Sequence, residues 1–145
     1  MSDIAVSPSV STQRPSKALH IGLWVAQVLL AAMFGMAGVM KTTTPYADLA
    51  SQMSWVPVMG EAMLRFIGIS ELAGAIGLIL PALTRIRPSL TGWAGVGLTV
   101  VMILAAGFHA IYSEFSAIPM NVVLGGLAAF VAWGRLRRAP IAPRA

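Results

Sequence analysis

The sequence predicts an all-α integral membrane protein: a four-helix bundle with both termini cytoplasmic. Three observations predict it: a lipid-like composition, four long apolar runs, and basic residues gathered on one side of those runs. Of 145 residues, 57% are hydrophobic and 10% charged, with a mean hydropathy of +0.80; a soluble domain carries about 25% charged residues. Low charge with high apolar content also excludes a disordered chain. The absence of cysteine excludes disulfides, thiolate metal sites, cysteine-ligated iron–sulfur clusters and a dithiol relay within the chain. The net charge of +5 sits at the ends of apolar runs, the pattern of membrane orientation rather than of phosphate tracking, so nucleic acid is not an expected partner.

Residues 1–18, rich in serine and carrying Pro8 and Pro15, read as a disordered cytoplasmic tail. The first apolar run covers 21–40 and is broken only by Gln27. At a rise of about 1.5 Å per residue such a run spans about 30 Å, one hydrocarbon core. It is too long for a signal-peptide core of about 7–15 residues and lacks a small-residue cleavage site, so it is expected to stay. Loop 41–61 contains Pro45, Tyr46, Asp48, Trp55, Pro57 and Gly60; its aromatics place it on the membrane surface. The second run, 62–83, carries Arg65, Ser70 and Glu71, and the tight loop 84–89 carries Arg85 and Arg87. The third run, 90–112, holds His109. Turn 113–116 offers Ser116 as an N-cap, with Pro119 in the first turn of the helix that follows. The fourth run, 117–134, holds Asn121, and 137–145 is a basic cytoplasmic tail. The membrane domain is 19–136. The runs are too long and too poor in alternation for strands, and only helices or closed barrels satisfy their backbone in lipid.

Arg14, Lys17, Arg85, Arg87, Arg135, Arg137, Arg138 and Arg144 all fall on one side of a four-span chain; Lys41 and Arg65 fall on the other, with Asp48, Glu61 and Glu114. The positive-inside rule then sets both termini in the cytoplasm and loops 41–61 and 113–116 outside. The expected location is a bacterial inner membrane, and the preponderance of Arg over Lys fits a GC-rich bacterial source.

Ionisable groups inside a bilayer are costly, about 2.5–3.5 kcal/mol for Asp, Lys or Arg at a helix centre on translocon scales, and so are candidates for function. Lys41 ends helix 1, Glu71 lies near mid-membrane in helix 2, His109 is in the last turn of helix 3, and Asn121 is in the first turns of helix 4. All four fall in the outer half. The inner half is almost wholly apolar, Gln27 excepted. Each lies on a seam of mostly small residues: Gln27, Ala31, Phe34, Gly38 and Lys41; Gly68, Glu71, Ala75 and Leu78; Gly95, Thr99, Met102, Ala106 and His109; Asn121, Gly125, Ala128 and Ala132. Small residues let membrane helices approach closely and polar ones find partners across the seam, so the four groups are expected around an inward pocket open to the outer side. Plainer roles are open for each. Lys41 can snorkel, Arg65 can anchor at the interface paired with Glu61, His109 can be satisfied by a carbonyl or near Tyr112, Asn121 can join helices, and Glu71 can form a structural pair with Lys41 or His109.

Helix 1 ends Gly35-Met36-Ala37-Gly38-Val39-Met40-Lys41, and helix 2 reads Glu71-Leu72-Ala73-Gly74-Ala75-Ile76-Gly77-Leu78-Ile79-Leu80-Pro81. The pair Gly-x-x-Lys and Glu-Leu-x-Gly-Ala-x-Gly-Leu-x-Leu-Pro resembles the DoxX-like family of small four-helix membrane proteins, over roughly 20–136. The resemblance implies Lys41 and Glu71 as the signature pair, with His109 and Asn121 where relatives often carry polar residues. It also implies kinship with subunits of quinone-linked sulfur and terminal-oxidase systems, with membrane oxidative-stress complexes, and with a distant eukaryotic branch that assists receptor assembly. The missing cysteines stand against a thiol oxidoreductase acting alone.

Three functions follow as expectations. The first is an accessory, redox-associated subunit in which Lys41, Glu71, His109 and Asn121 bind a small quinone-like ligand or handle its protons. No haem, flavin or metal motif is present, and His20 and His109 lie on opposite sides of the membrane, so a redox protein partner is implied. The second is an assembly or scaffolding protein without catalysis. The third is a small oligomeric transporter using Glu71. Lipid is the common partner, and homo-oligomerisation is open.

Overall fold

The computed structural model describes residues 16–144; the disorder expected of the N-terminal tail falls, for residues 1–15, outside them. The chain forms α1 (Lys17–Thr43), a short α2 (Tyr46–Gln52), α3 (Trp55–Thr84), α4 (Ser89–Ile111), a 3₁₀ turn (Phe115–Ala117), α5 (Ile118–Trp133) and a π-helical turn (Gly134–Arg138). No strand occurs among the described residues. α1, α3, α4 and the stretch Phe115–Arg138 are each long and apolar enough to cross a bilayer. The protein is therefore a multi-pass membrane protein, its exposed surface rich in Ile, Leu, Val, Phe and Trp.

The four long helices close a ring. α1 packs on α3, α3 on α4, α4 on α5, and α5 back on α1. The predicted seams are the buried faces. α1 buries Gln27, Phe34 and Gly38; α3 buries Gly68, Glu71, Ala75 and Leu78; α4 buries Gly95 and Met102; α5 buries Gly125, Ala128 and Ala132. Leu30, Phe34, Leu78, Leu98 and Val131 form the centre of the core. One end of the bundle, the tail end, carries the start of α1, the loop between α3 and α4, and the C-terminal segment, which joins that loop through Arg144 N–H to Arg85 C=O at 2.9 Å. The other, the loop end, carries α2.

Several local expectations change. α1 begins inside the stretch read as tail: Ser16 caps it, its hydroxyl accepting the Leu19 N–H at 3.2 Å. Loop 41–61 is largely helical. α2 lays Leu49 against Val56 and Leu64, and this small apolar cluster holds it to α3. Trp55–Met59 is helical before Gly60, whose φ of 77° and ψ of 166° break the helix direction; that region is essentially open only to glycine. Ser116 is not an N-cap: it sits within the 3₁₀ turn, Ala117 occupies the cap position, and no side chain bonds there. Pro119 does stand in the first turn of α5, where its missing N–H costs nothing.

Candidate functional site

The site begins with a backbone crossing. Gly38 of α1 faces Gly68 of α3 so closely that a Cβ on Gly38 would lie 2.8 Å from the Gly68 carbonyl oxygen, and a Cβ on Gly68 would lie 2.8 Å from Lys41 Cβ. Glycine at both positions lets the helices touch. Lys41 sits nearly one turn beyond Gly38, and Glu71 nearly one turn beyond Gly68, so the crossing sets them opposite one another. Lys41 Nζ donates to both Glu71 Oε1 and Oε2 at 2.7 Å. The side chains are 12% and 4% exposed, so each charge has its partner where water is scarce, the condition a buried ion requires. One N–H of the ammonium stays uncommitted to Glu71.

Arg65 makes the expected pair with Glu61, at 3.0 Å. It also donates through Nη1 to the carbonyls of Lys41 at 2.6 Å and Thr44 at 2.8 Å. These carbonyls lie at the end of α1, where helical donors run out. Arg65 thus fixes the backbone that carries Lys41.

His109 is satisfied by neither a carbonyl nor Tyr112. Its Nδ1 lies 2.7 Å from Glu114 Oε2, and Glu114 also accepts the hydroxyl of Ser54, at the α2–α3 junction. Glu114 lies between the membrane spans. The hydrogen bond from Ser54, and then that from His109, hold its carboxyl below the usual carboxylate range. Its part was missed in the sequence. It lies five positions after His109, outside the three- and four-residue spacings of helix pairs, and the signal was an acid just past the C-terminus of a helix whose last turn holds a histidine.

Lys41, Glu71, His109 and Asn121 all line one cavity of about 380 Å³, walled by apolar side chains that include Trp55, Met59, Phe66 and Met102. All four candidates are thereby brought together. Asn121 Nδ2 is buried, with no hydrogen-bond partner among the described residues. The volume falls in the range of small-molecule pockets, about 300–1,000 Å³, and an apolar wall with a few convergent polar groups is their usual chemistry. Such a cavity can hold an apolar molecule by its body and orient it by one or two oxygens.

At the tail end the expectation of an almost wholly apolar interior is corrected. Arg135, counted as a tail charge, is 2% exposed. Its Nε donates to Gln27 Oε1 at 2.6 Å, Nη1 lies 3.2 Å from His20 Nδ1, and the guanidinium stands over the Trp24 ring at 5.5 Å. Gln27 Nε2 in turn donates to the Leu78 carbonyl at 2.6 Å, one residue from the carbonyl that Pro81 leaves without a helical donor. The π turn, closed by Ala139 N–H to Gly134 C=O at 2.7 Å, carries Arg135 into this network.

No curated protein and no solved structure matches the chain. The family model described as DoxX-like matches residues 25–131, which takes in Lys41 and Glu71, the cavity they share with His109 and Asn121, and the cores of all four spans. The chain belongs to the DoxX-like family.

Proposed function

We propose that the protein is an accessory, redox-associated membrane subunit that holds a small quinone-like ligand in the loop-end cavity. The observation that carries the reading is the convergence of Lys41, Glu71, His109 and Asn121, one from each long helix, on one largely apolar cavity. Apolar walls suit a ring, the spare Lys41 N–H and the Asn121 amide suit ring oxygens, and an imidazole beside a carboxylate suits the protons that such oxygens gain and lose. The quinone-linked relatives that the family resemblance implies support the same choice. Electrons would come from or go to a partner protein in the membrane. The basic tail end supports a cytoplasmic position for both termini, in a bacterial inner membrane with the cavity toward the outer face.

Native mass spectrometry of the protein gently extracted from its own membrane tests this. Wild type is expected to carry a stoichiometric quinone-sized adduct. Glu71→Gln and Asn121→Leu are each expected to lose it while circular dichroism stays helical. Asn121→Leu is the safer variant because its amide nitrogen has no partner among the described residues that would be left unpaired. A clean protein mass from wild type refutes the reading.

One observation favours a second reading, an assembly or scaffolding role. Lys41 and Glu71 satisfy one another through two hydrogen bonds, as structural glue would. On that reading Glu71→Gln lowers stability or partner capture, and wild type co-purifies with protein rather than with a small molecule.

A further inference from the structure

The turn after the last span divides its arginines. It covers Gly134–Arg138 and is pinned on two sides. A Cβ on Gly134 would lie 2.7 Å from Leu23 Cδ1 of α1, and a Cβ on Gly92 of α4 would lie 2.6 Å from Leu136 Cδ2. Glycine at each position lets the turn lie against both helices. Arg135 goes inward to Gln27. Arg137 and Arg138 stay exposed on this fixed backbone, and neither takes part in an ion pair among the described residues. Arg138 stands over the Trp133 ring, 5.4 Å from its centre. The two arginines and Trp133 edge an open groove of about 610 Å³, whose other walls are Val96 of α4, Ala132 of α5 and Leu136. The groove is apolar along two membrane spans and cationic where they end. Among the described residues no acid compensates it: Asp48, Glu61, Glu71 and Glu114 lie at or toward the loop end, while Lys17, Arg85, Arg87 and Arg144 add to the positive charge of the tail end.

We infer that this groove binds one anionic phospholipid, its phosphate on Arg137 and Arg138 and an acyl chain along Val96 and Ala132. A guanidinium presents donors in a fork that matches phosphate oxygens, and a tryptophan suits the level of the headgroups. Two neighbouring like charges repel, and an anion shared between them turns that repulsion into attraction. The apolar walls decide where the phosphate comes from. A free phosphate ester leaves Val96, Ala132 and Leu136 unused, whereas a lipid uses both halves of the groove. A zwitterionic headgroup brings its own cation to the arginines, so a headgroup of net negative charge is preferred. Basic pockets between membrane helices bind anionic headgroups for these reasons. The groove lies at the opposite end of the bundle from the Lys41–Glu71 cavity, and the inference stands whether or not that cavity holds a ligand.

The test uses the full chain in nanodiscs of phosphatidylcholine and phosphatidylglycerol in equal amounts, with the lipid retained on each chain read by native mass spectrometry. Wild type is expected to keep one phosphatidylglycerol in preference to phosphatidylcholine. Removing each arginine should weaken that retention roughly fivefold, and the double variant Arg137→Gln/Arg138→Gln about twentyfold, as phosphatidylglycerol content is titrated. The control is Arg87→Gln/Arg144→Gln, which takes the same charge from the same end but from residues outside the groove; its retention should match wild type. All four side chains are exposed, and circular dichroism should show each variant as helical as wild type. Glycerol phosphate, the headgroup chemistry without chains, should not displace the bound lipid. Equal retention of the two lipids by wild type overturns the inference. So does a control pair that loses lipid as fully as the groove pair, since the tail end then attracts anions by its overall charge alone. Displacement by glycerol phosphate overturns it too, making the groove a site for free phosphate esters.

Discussion

Alanine at Gly38 puts a methyl group into the closest part of the α1–α3 crossing. Its Cβ would stand 2.7 Å from Leu72 Cγ, 2.8 Å from the Gly68 carbonyl oxygen and 3.0 Å from the Leu72 nitrogen. The leucine side chain can swing aside, but the two backbone atoms cannot. Carbon atoms in ordinary contact sit about 3.5–4.0 Å apart, so the helices must part by roughly 0.5–1 Å, which forfeits a quarter to a half of the attraction along the crossing. Overpacking of this kind costs about 1–3 kcal/mol, and the better helix propensity of alanine returns up to about 1 kcal/mol. The net expectation is a loss of about 1–2 kcal/mol. Gly68→Ala meets Lys41 Cβ at 2.8 Å and Thr42 Cγ2 at 3.0 Å, so it also pushes the lysine stem away from Glu71 and lengthens the ion pair. Gly97→Ala and Gly126→Ala are the controls, because a Cβ there meets nothing within 4 Å; they should be neutral or slightly stabilising. Reversible unfolding in mixed micelles, titrated with SDS and followed by circular dichroism, gives the ranking. If Gly38→Ala is as stable as Gly97→Ala, the crossing is not the close backbone contact described above, and the account of how Lys41 reaches Glu71 is wrong.

Gln27→Leu removes both the acceptor of Arg135 Nε and the donor to the Leu78 carbonyl. It should cost about 1.5–3 kcal/mol in the same assay, as the loss of a hydrogen bond to a charged group does. Adding Arg135→Leu should recover part of that, because a buried charge left short of partners is worse than none. Acidification should not break the Ser54–Glu114–His109 tie in the usual carboxylate range. Glu114 has a depressed folded-state value, so its stabilising contribution is full above the ordinary carboxylate value and disappears only as pH falls through the lower one. A ¹³C titration of the Glu114 carboxyl with its midpoint at or above about 4.3, the ordinary glutamate value, would contradict this. Because the chain has no cysteine, single substitutions report orientation without background. Gln52→Cys should react with an impermeant maleimide on intact cells, and Ser89→Cys only after permeabilisation; the reverse pattern inverts the proposed topology.

Much of the fold was legible because lipid imposes simple rules. A run the length of 21–40 with one polar residue has little choice but to span, and the spacing of Gly68, Glu71, Ala75 and Leu78 marks one face of a helix whether or not its neighbours are known. The convergence of Lys41, Glu71, His109 and Asn121 on one cavity was legible for the same reason. Topology alone put one polar residue of each span at the same depth. What escaped depends on geometry that no helical period encodes. Arg135 was counted as a tail charge because it follows the last apolar run, yet a π turn shifts its position about the axis, and Gln27, 108 positions away, receives it. Glu114 was placed in the outer turn, but its partnership with His109 depends on the path of the chain after Ile111. α2 was hidden because seven residues with a single buried leucine carry too little apolar pattern to announce a helix; tertiary contact with Val56 and Leu64 supplies what propensity does not.

The two polar clusters hold the bundle in different ways. At the tail end, Gln27 uses its amide nitrogen on α3 and its amide oxygen on Arg135, joining α1, α3 and the turn after α5 through one side chain. Every atom of that amide that can bridge helices does so. At the loop end, the Lys41–Glu71 pair joins α1 to α3, His109 of α4 is tied to Glu114, and the amide nitrogen of Asn121 on α5 is buried without a partner among the described residues. A cavity ringed by Lys41, Glu71, His109 and Asn121 forgoes packing contacts at the loop end, a loss that an entering ligand would offset. This asymmetry favours the ligand reading proposed above over the scaffolding one. The scaffolding reading accounts for the Lys41–Glu71 pair, but has no use for an apolar cavity on which one polar residue of each long helix converges.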